Sequence, residues 1–234
     1  LEEAAYIGDR CVERLYEVSR PGLTEREIGA EMYRTAAMLG AEDFLFLTMY
    51  SVIEGRDMHT SGGAPRDRVL HPNDMFVFSF EFTGPLGYWI EMSRAVAFAR
   101  PSEAMERTHR AVREALDAVA ATAKAGARSG AVQDAIVQAA AANGGTVASW
   151  TGHGIGQDVI EEPWVGREVV QESDATRSSD VELEAGMAIT LHPYVVDDGG
   201  QAACYMADTF VVEADAARKL SEIPLDLVRP HARP

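Results

Sequence analysis

The strongest constraint on the fold is an order of predicted elements that occurs twice: two helices followed by antiparallel strands. In the first half, apolar residues recur at helical spacing over residues 1–19. A second helix is predicted from a capping sequence at Thr24 to about Leu39. After two short strand-like runs, residues 74–82 and 88–98 have the pattern of a hairpin with an extended loop.

The second half of the chain repeats this order. Helical periodicity covers residues 101–125 and 129–142, and apolar strands are predicted at 185–191 and 204–212. The acidic stretch between these helices and strands, up to residue 184, is predicted to be irregular. Helices and antiparallel strands in two similar halves favour an α+β fold, with helices outside a curved sheet, and we expect one domain over residues 1–234.

Composition and charge limit the classes of partner. The chain has 234 residues, of which 47% are hydrophobic and 25% charged, as in ordinary globular proteins. Its formal net charge is -16, and such a surface repels nucleic acid backbones and anionic lipid. The sequence also contains no apolar run of membrane-spanning length. We therefore expect neither nucleic acid nor a membrane as partner.

The two cysteines, Cys11 and Cys204, are far apart in the sequence. They form neither a disulfide framework nor a metal-binding pair at short spacing. We interpret them as reduced, buried thiols of a cytoplasmic protein.

A single histidine, His153, lies between glycines in the stretch from Thr151 to Gly156. Because glycine has no side chain, a metal, a substrate or another backbone can approach the imidazole closely. The stretch alone is equally typical of a glycine-rich turn with an exposed histidine.

Several acidic residues and histidines lie inside or at the ends of apolar strands. Glu81, Glu91 and Asp208 interrupt apolar runs, and His192 ends one. A buried carboxylate is costly unless it is paired, hydrogen-bonded or metal-bound, although each of these residues could instead face solvent from an alternating strand. Together with His153 they have the scattered distribution expected of a site built from several strands.

The polar segment of residues 54–74 contributes another candidate, His59. Turn-rich loops of this kind often carry functional groups, because a rigid scaffold positions them. A solvated histidine is the alternative interpretation of His59.

The order and flanks of these segments resemble the pita-bread-fold family (M24) of methionine aminopeptidase, Xaa-Pro peptidases and creatinase, over nearly the whole chain. The segments that carry the resemblance are Met58-His59, Leu70-His-Pro-Asn-Asp74, Gly87-Tyr88, Thr151-Gly-His153-Gly-Ile-Gly156, Glu161-Glu-Pro163, Ala185-Gly-Met187 and Thr190-Leu-His192-Pro193. The resemblance implies the pita-bread fold for this chain.

The peptidases of this family hold two divalent metals with two Asp, one His and two Glu. The five positions fall, in order, on Ser79, Glu91, His153, His192 and Asp208. Glu81, two residues after Ser79, is the nearby carboxylate that would substitute for the first ligand. An imidazole has one lone pair and cannot bridge two cations as a carboxylate does, so the resemblance does not imply two fully occupied metal sites here.

Two kinds of site remain open. One divalent ion, zinc, manganese or iron, would be held by Glu91, His153, His192 and Asp208. Alternatively the site is metal-free, as the resemblance to creatinase implies, with His59 as general base and His153 orienting or polarising the scissile group.

The hairpin supplies the predicted substrate contacts, Arg94 and Tyr88. The hairpin strand of creatinase contains a glutamate followed by an arginine. In this chain the arginine is present as Arg94, but Ser93 occupies the position of the glutamate. This difference prevents the substrate of creatinase from being carried over.

Three functions follow from this comparison. The first is a hydrolase of a carbon–nitrogen bond, of peptide or amidine type, with one metal or none and a small molecule or short peptide as substrate. The second is an inactive family member that binds peptide or a small ligand in the old cleft. The third is a dinuclear Xaa-Pro-type metallopeptidase. The resemblance also implies a homodimer, and the N-terminal domain of many relatives is not found in the sequence.

Overall fold

The structure is a computed structural model, and it describes residues 1–46, 49–53, 64–147, 151–165, 169–171, 174–177 and 180–230. The helices are α1 (Glu2–Val18), α2 (Glu25–Met38), α3 (Glu103–Thr122) and α4 (Ser129–Ala142). The strands are β1 (Phe44–Phe46), β2 (Met49–Ile53), β3 (Asp74–Thr83), β4 (Trp89–Ala97), β5 (Gly145–Val147), β6 (Gly152–Gly154), β7 (Glu161–Trp164), β8 (Val169–Gln171), β9 (Asp174–Arg177), β10 (Ala188–Leu191), β11 (Tyr194–Asp197), β12 (Ala203–Tyr205), β13 (Asp208–Val212) and β14 (Ala217–Lys219).

Local signals in the sequence fix the ends of the first helices. Thr24 accepts a hydrogen bond from the backbone N–H of Glu27, and the Glu27 carboxylate accepts one from the Thr24 backbone, which completes the predicted capping box of α2. Helix α1 packs on α2, and both cover the sheet in which β3 pairs with β1, β2 and β4. The first half is therefore two helices on an antiparallel sheet, as predicted.

Alternation along β3 divides its side chains between two environments. Phe76, Phe78 and Phe80 belong to the core beneath α1 and α2, whereas Met75 and Val77 belong to the core beneath α3 and α4. Successive strand residues point to opposite faces, so every side chain of β3 is buried, polar or not.

The second half has its own core, formed by α3 and α4 against two sheets. One sheet has the strand order β14-β13-β10-β6-β7, and the other has the order β12-β11-β5. The α+β class predicted from the sequence is confirmed. None of the helices in the described ranges is both long and apolar enough to cross a membrane.

The two halves are joined edge to edge between β4 and β13. The Ser93 N–H donates to the Ala207 carbonyl over 3.0 Å, and the Ala207 N–H donates to Ser93 Oγ over 2.6 Å. Thr209 Oγ1 accepts from the Glu91 N–H over 3.0 Å and donates to the Glu91 carbonyl over 2.8 Å. These bonds fix the position of Glu91 relative to the strands of the second half.

Two predictions about the second half were wrong in detail. The acidic stretch predicted to be irregular contains β7, β8 and β9. The strand predicted over residues 204–212 is divided into β12, which pairs with β11, and β13, which pairs with β10. The apolar pattern continues through the division because both pieces are buried, although they belong to different sheets.

Both cysteines are buried free thiols. Burial raises the pKa of Cys11 and of Cys204 to about 12, so both are protonated at neutral pH.

Candidate active site

His153 lies in β6, between β10 on one side and β7 on the other. A side chain at Gly152 would overlap the Thr190 carbonyl oxygen, and one at Gly154 would overlap the Glu162 carbonyl oxygen. The glycines on both sides of His153 therefore admit the backbones of the neighbouring strands. The stretch is a buried strand, which excludes the alternative of an exposed glycine-rich turn.

Three buried side chains from three parts of the chain converge at His153. They are Glu91 of β4, His153 of β6 and His192, which directly follows β10, and one donor atom from each lies within 4.8 Å of the others. Nε2 of His153 is 3.5 Å from Oε2 of Glu91, and the two imidazole centroids are 5.4 Å apart. Three of the four predicted metal ligands are thus brought together.

The hydrogen bonds of His153 determine which ring nitrogen is available. Nδ1 lies 2.8 Å from the Gly154 carbonyl oxygen, which can only accept, so this contact assigns the ring proton to Nδ1. Nε2 is then the ring nitrogen that faces Oε2 of the Glu91 carboxylate, 3.5 Å away. A proton or a metal ion between these two groups would stabilise them.

Glu91 is ionised in this environment. Burial alone would raise its pKa, but the facing imidazoles of His192 and His153 and the Tyr205 hydroxyl outweigh burial and lower the pKa to about 2. The Tyr205 hydroxyl donates to Oε1 of Glu91 over 2.6 Å. The Tyr205 ring also stacks on His192, with centroids 5.8 Å apart.

His192 is neutral in the same environment. Burial lowers the pKa of His192 to about 4, against a smaller opposing effect of the Glu91 charge. At neutral pH the cluster therefore offers the ionised carboxylate of Glu91 and the neutral imidazole of His192, and these are the protonation states that bind metal.

A second carboxyl group, that of Glu81, lies directly across the β3–β4 pair from Glu91. Burial and the Glu91 charge raise the pKa of Glu81 to about 9, so this group is a neutral acid at pH 7. Next along the same face, Ser79 opposes Ser93, and its buried hydroxyl makes no hydrogen bond within the described part of the chain.

The raised pKa of Glu81 predicts that stability falls as pH rises. Between pH 4.5 and about 9 the folded state holds a proton that the unfolded chain has released, so unfolding is favoured progressively through this window. Glu81→Gln removes this titration. We expect the free energy of unfolding of the variant to exceed that of the parent at pH 8.5, and the difference to be smaller at pH 5, as measured by urea unfolding.

Glu222→Gln makes the same substitution at an exposed position and serves as the control. If the free energies of unfolding of Glu81→Gln and the parent differed by the same amount at pH 5 and at pH 8.5, this result would contradict a buried, protonated Glu81.

Asp208, the fourth predicted ligand, does not join the cluster. Thr209 pairs with Thr190, and Thr190 pairs with His153, so the side chains of these three residues lie on the same face of the sheet. Asp208 directly precedes Thr209, and its side chain therefore points to the opposite face. Its carboxylate accepts from Arg94 over 2.8 Å and from the Ser221 hydroxyl over 2.6 Å. Asp208 is the counter-ion of a buried arginine, and we correct the ligand set to the remaining three residues.

Arg94, predicted to contact substrate, is likewise on the wrong face of its strand. It lies three residues after Glu91 in β4, and alternation directs the two side chains to opposite sides. The side chain is 0% exposed, and its guanidinium donates to Asp208, to Ser221 and to the backbone. We correct the role of Arg94 from substrate contact to buried ion pair.

Two predicted site residues remain, Tyr88 and His59. Tyr88, the other predicted substrate contact, is exposed just before β4 and is not one of the three residues whose donor atoms converge. His59, the predicted general base, lies outside the described residues. Conversely, the sequence analysis assigned no role to Tyr205, because an aromatic residue in an apolar strand gives no signal that its hydroxyl reaches a carboxylate.

Comparison with known proteins identifies the family. The model of metallopeptidase family M24 matches residues 1–214. An uncharacterized peptidase of Bacillus subtilis, YqhT, is 27% identical over 233 residues, which cover 97% of this chain and 61% of the relative.

Two solved structures show the same fold. Dipeptidase PepE from Mycobacterium ulcerans has a TM-score of 0.82 at 25% identity, covering 98% of this chain and 59% of PepE. Xaa-Pro dipeptidase from Bacillus anthracis has a TM-score of 0.81 at 25% identity, covering 97% of this chain and 61% of that protein. The chain thus spans about three fifths of the length of these relatives. It has the pita-bread fold and, as the motifs around His153 predicted, belongs to metallopeptidase family M24.

Proposed function

We propose that the chain forms the catalytic unit of a hydrolase that cleaves the peptide bond of short peptides and uses one divalent metal ion. The observation that carries the proposal is the convergence of Glu91, His153 and His192, with donor atoms within 4.8 Å of one another. Membership of a peptidase family and similarity to a protein described as a dipeptidase support the choice of reaction and substrate class.

The donor set fits one ion and does not fit two. Two hard cations held close together need bridging carboxylates, and the cluster contains a single ionised carboxylate, that of Glu91. Asp208 is committed to Arg94, and Ser79 carries no charge. One carboxylate with two imidazoles is a common set for zinc, iron or manganese.

The residues around the cluster would prepare it for metal. The Gly154 carbonyl contacts Nδ1 of His153 and so keeps Nε2 directed toward Glu91, and Tyr205 holds one oxygen of Glu91 so that the other is directed to His153. Such supporting contacts orient ligands and tune their basicity. A bound ion would supply an activated water and polarise the scissile carbonyl. We propose His59, on the family resemblance, as the group that transfers the proton.

Hydrolysis of a panel of dipeptides, including Xaa-Pro dipeptides, tests the proposal. We expect activity in the purified protein, its loss after treatment with a chelator, and its recovery on addition of one equivalent of zinc, manganese or iron(II). Creatine and related amidines serve as comparison substrates. Activity that survives chelation would favour the metal-free alternative, and binding of peptide without turnover would favour the inactive family member.

Removal of the Tyr205 hydroxyl tests the supporting contacts. Tyr205→Phe keeps the ring that stacks on His192 but removes the donor to Glu91. We expect metal affinity to fall by about 10- to 100-fold, the usual effect of losing such a supporting partner. A competition titration with a chromogenic chelator measures this change.

Tyr6→Phe removes the hydroxyl of an exposed tyrosine in α1, outside the cluster, and serves as the control for Tyr205→Phe. Equal metal affinities of the Tyr205→Phe variant and the parent would remove Tyr205 from the proposed site.

A further inference from the structure

A basic pocket lies on the outer side of the second half, and it shares no residue with the candidate active site. Its volume is about 370 Å³, within the range of small-molecule sites. The charged side chains that line it are those of Arg100, Arg110, Arg113, Arg229 and Glu106. Four guanidinium groups thus surround one cavity of a chain whose net charge is -16.

Helix α3 builds one wall of this pocket. Glu106, His109, Arg110 and Arg113 are spaced at i, i+3, i+4 and i+7, so they lie on one face of the helix. The opposite side comes from segments near the end of β4 and near the C-terminal end of the described chain. Val228 pairs with Val96 of β4, which brings its neighbour Arg229 to the pocket.

The positive charge in the pocket is only partly neutralised. Arg113 is 3.7 Å from Asp226, and Arg110 donates to the Asn143 side chain over 2.9 Å. Arg100 and Arg229, both exposed, form no ion pair within the ranges that the structure describes. The four guanidinium groups outnumber the nearby carboxylates of Glu106 and Asp226, and this excess of positive charge favours an anion from solution.

An unsatisfied buried nitrogen in the same pocket provides a second, independent observation. His109 is only 5% exposed, and its ring is hydrogen-bonded to the backbone of Leu225. Nε2 has no hydrogen-bond partner among the described residues. Leaving a buried polar atom unpaired is costly, so an unpaired nitrogen on a residue that lines the cavity favours a polar ligand group beside that residue.

We propose that this pocket binds a small phosphorylated molecule, with its phosphoryl oxygens between Arg100, Arg113 and Arg229. Phosphoryl oxygens accept paired hydrogen bonds from guanidinium groups, and several oxygens on one group suit arginines that converge from different elements. The cavity exceeds the size of a single phosphate, so it also accommodates a second phosphoryl group or an organic part beside Nε2 of His109.

Pyrophosphate is the probe for this site, and the measurement is calorimetric titration at about 0.1 M ionic strength, where the Debye length is about 10 Å. We expect saturable binding of one pyrophosphate per chain, and weaker binding of inorganic phosphate and of citrate. The double variant Arg100→Gln/Arg229→Gln changes exposed residues and should fold normally. We expect it to bind pyrophosphate at least about tenfold more weakly, since two charge-assisted contacts are lost.

The matched control is Arg20→Gln/Arg34→Gln, which removes the same charge from exposed positions near α1 and α2. It should bind pyrophosphate within about twofold of the parent, because exposed charges this far from the site are screened. Two results would overturn the proposal: no saturable binding by the parent, or an equal loss of affinity in the two double variants. Citrate binding as tightly as pyrophosphate would overturn the assignment to a phosphorylated ligand.

Discussion

His153→Ala is expected to abolish metal binding and to reduce peptidase turnover by about a thousandfold or more, because the ion that activates water and polarises the carbonyl is lost. His153 is the central member of the cluster: it contacts Glu91, and its ring lies beside that of His192. Elemental analysis of the purified variant, together with its steady-state rate on the best dipeptide, measures both effects.

The control for this change is His71→Ala. His71 is an exposed histidine before β3, so its loss changes the count of imidazoles without touching the cluster. We expect normal metal content and normal turnover for this variant. If His153→Ala kept both metal and activity, the ion would have to be held elsewhere in the chain.

Arg94→Met is expected to cost about 3–5 kcal/mol of stability, the usual effect of breaking a buried ion pair by removing one partner. The side chains of Arg94 and Asp208 are 0% and 1% exposed, and they are 2.8 Å apart. Methionine leaves the Asp208 carboxylate buried, and its remaining partners are the Ser221 hydroxyl, the Thr209 backbone N–H and the Lys219 ammonium, which is 3.8 Å away. Urea unfolding of parent and variant measures the loss.

An exposed ion pair provides the comparison. The side chains of Arg26 and Asp67 are 63% and 79% exposed, and pairs of this kind contribute about 1 kcal/mol or less. Arg26→Met should therefore have a small effect on unfolding. If Arg94→Met cost no more than Arg26→Met, the buried pair would not be what holds β4 against β13.

The fold was predictable because its signals are local and repeated. The capping box at Thr24, the apolar stripe of α1 and the glycines that end α2 and α4 each fix a boundary through nearby residues. The order of elements then limited the architecture to helices outside an antiparallel sheet. The strands between residues 161 and 177 escaped prediction because they are short and their sequence is polar.

The site was predictable in part. The correctly and the wrongly predicted residues differ in the direction of their side chains. Glu91 was identified as an acidic residue in an apolar strand and His153 as a histidine between glycines, and the two do face each other. Arg94 and Asp208 look alike in the sequence but point to the opposite faces of their strands. Strict alternation along the strand would have excluded Arg94 from the face that carries Glu91, because the two residues are an odd number of positions apart.

Other features of the site depend on contacts between distant segments. Tyr205 bonds to a residue 114 positions earlier in the chain, and no spacing within one strand reveals such a contact. The pKa of Glu81 likewise depends on its partner across the β3–β4 pair. Pairing register determines which charges meet, and register is settled by the packing of the whole sheet.

The number of ions that one chain binds is the most direct test of the single-metal site. Chelator-treated protein is titrated with zinc or manganese at neutral pH, and the bound ions per chain are counted by elemental analysis after dialysis. We predict one ion per chain for the parent and none for His153→Ala. Two ions per chain would contradict the site proposed here, and so would the absence of any bound ion in a chain that still cleaves dipeptides.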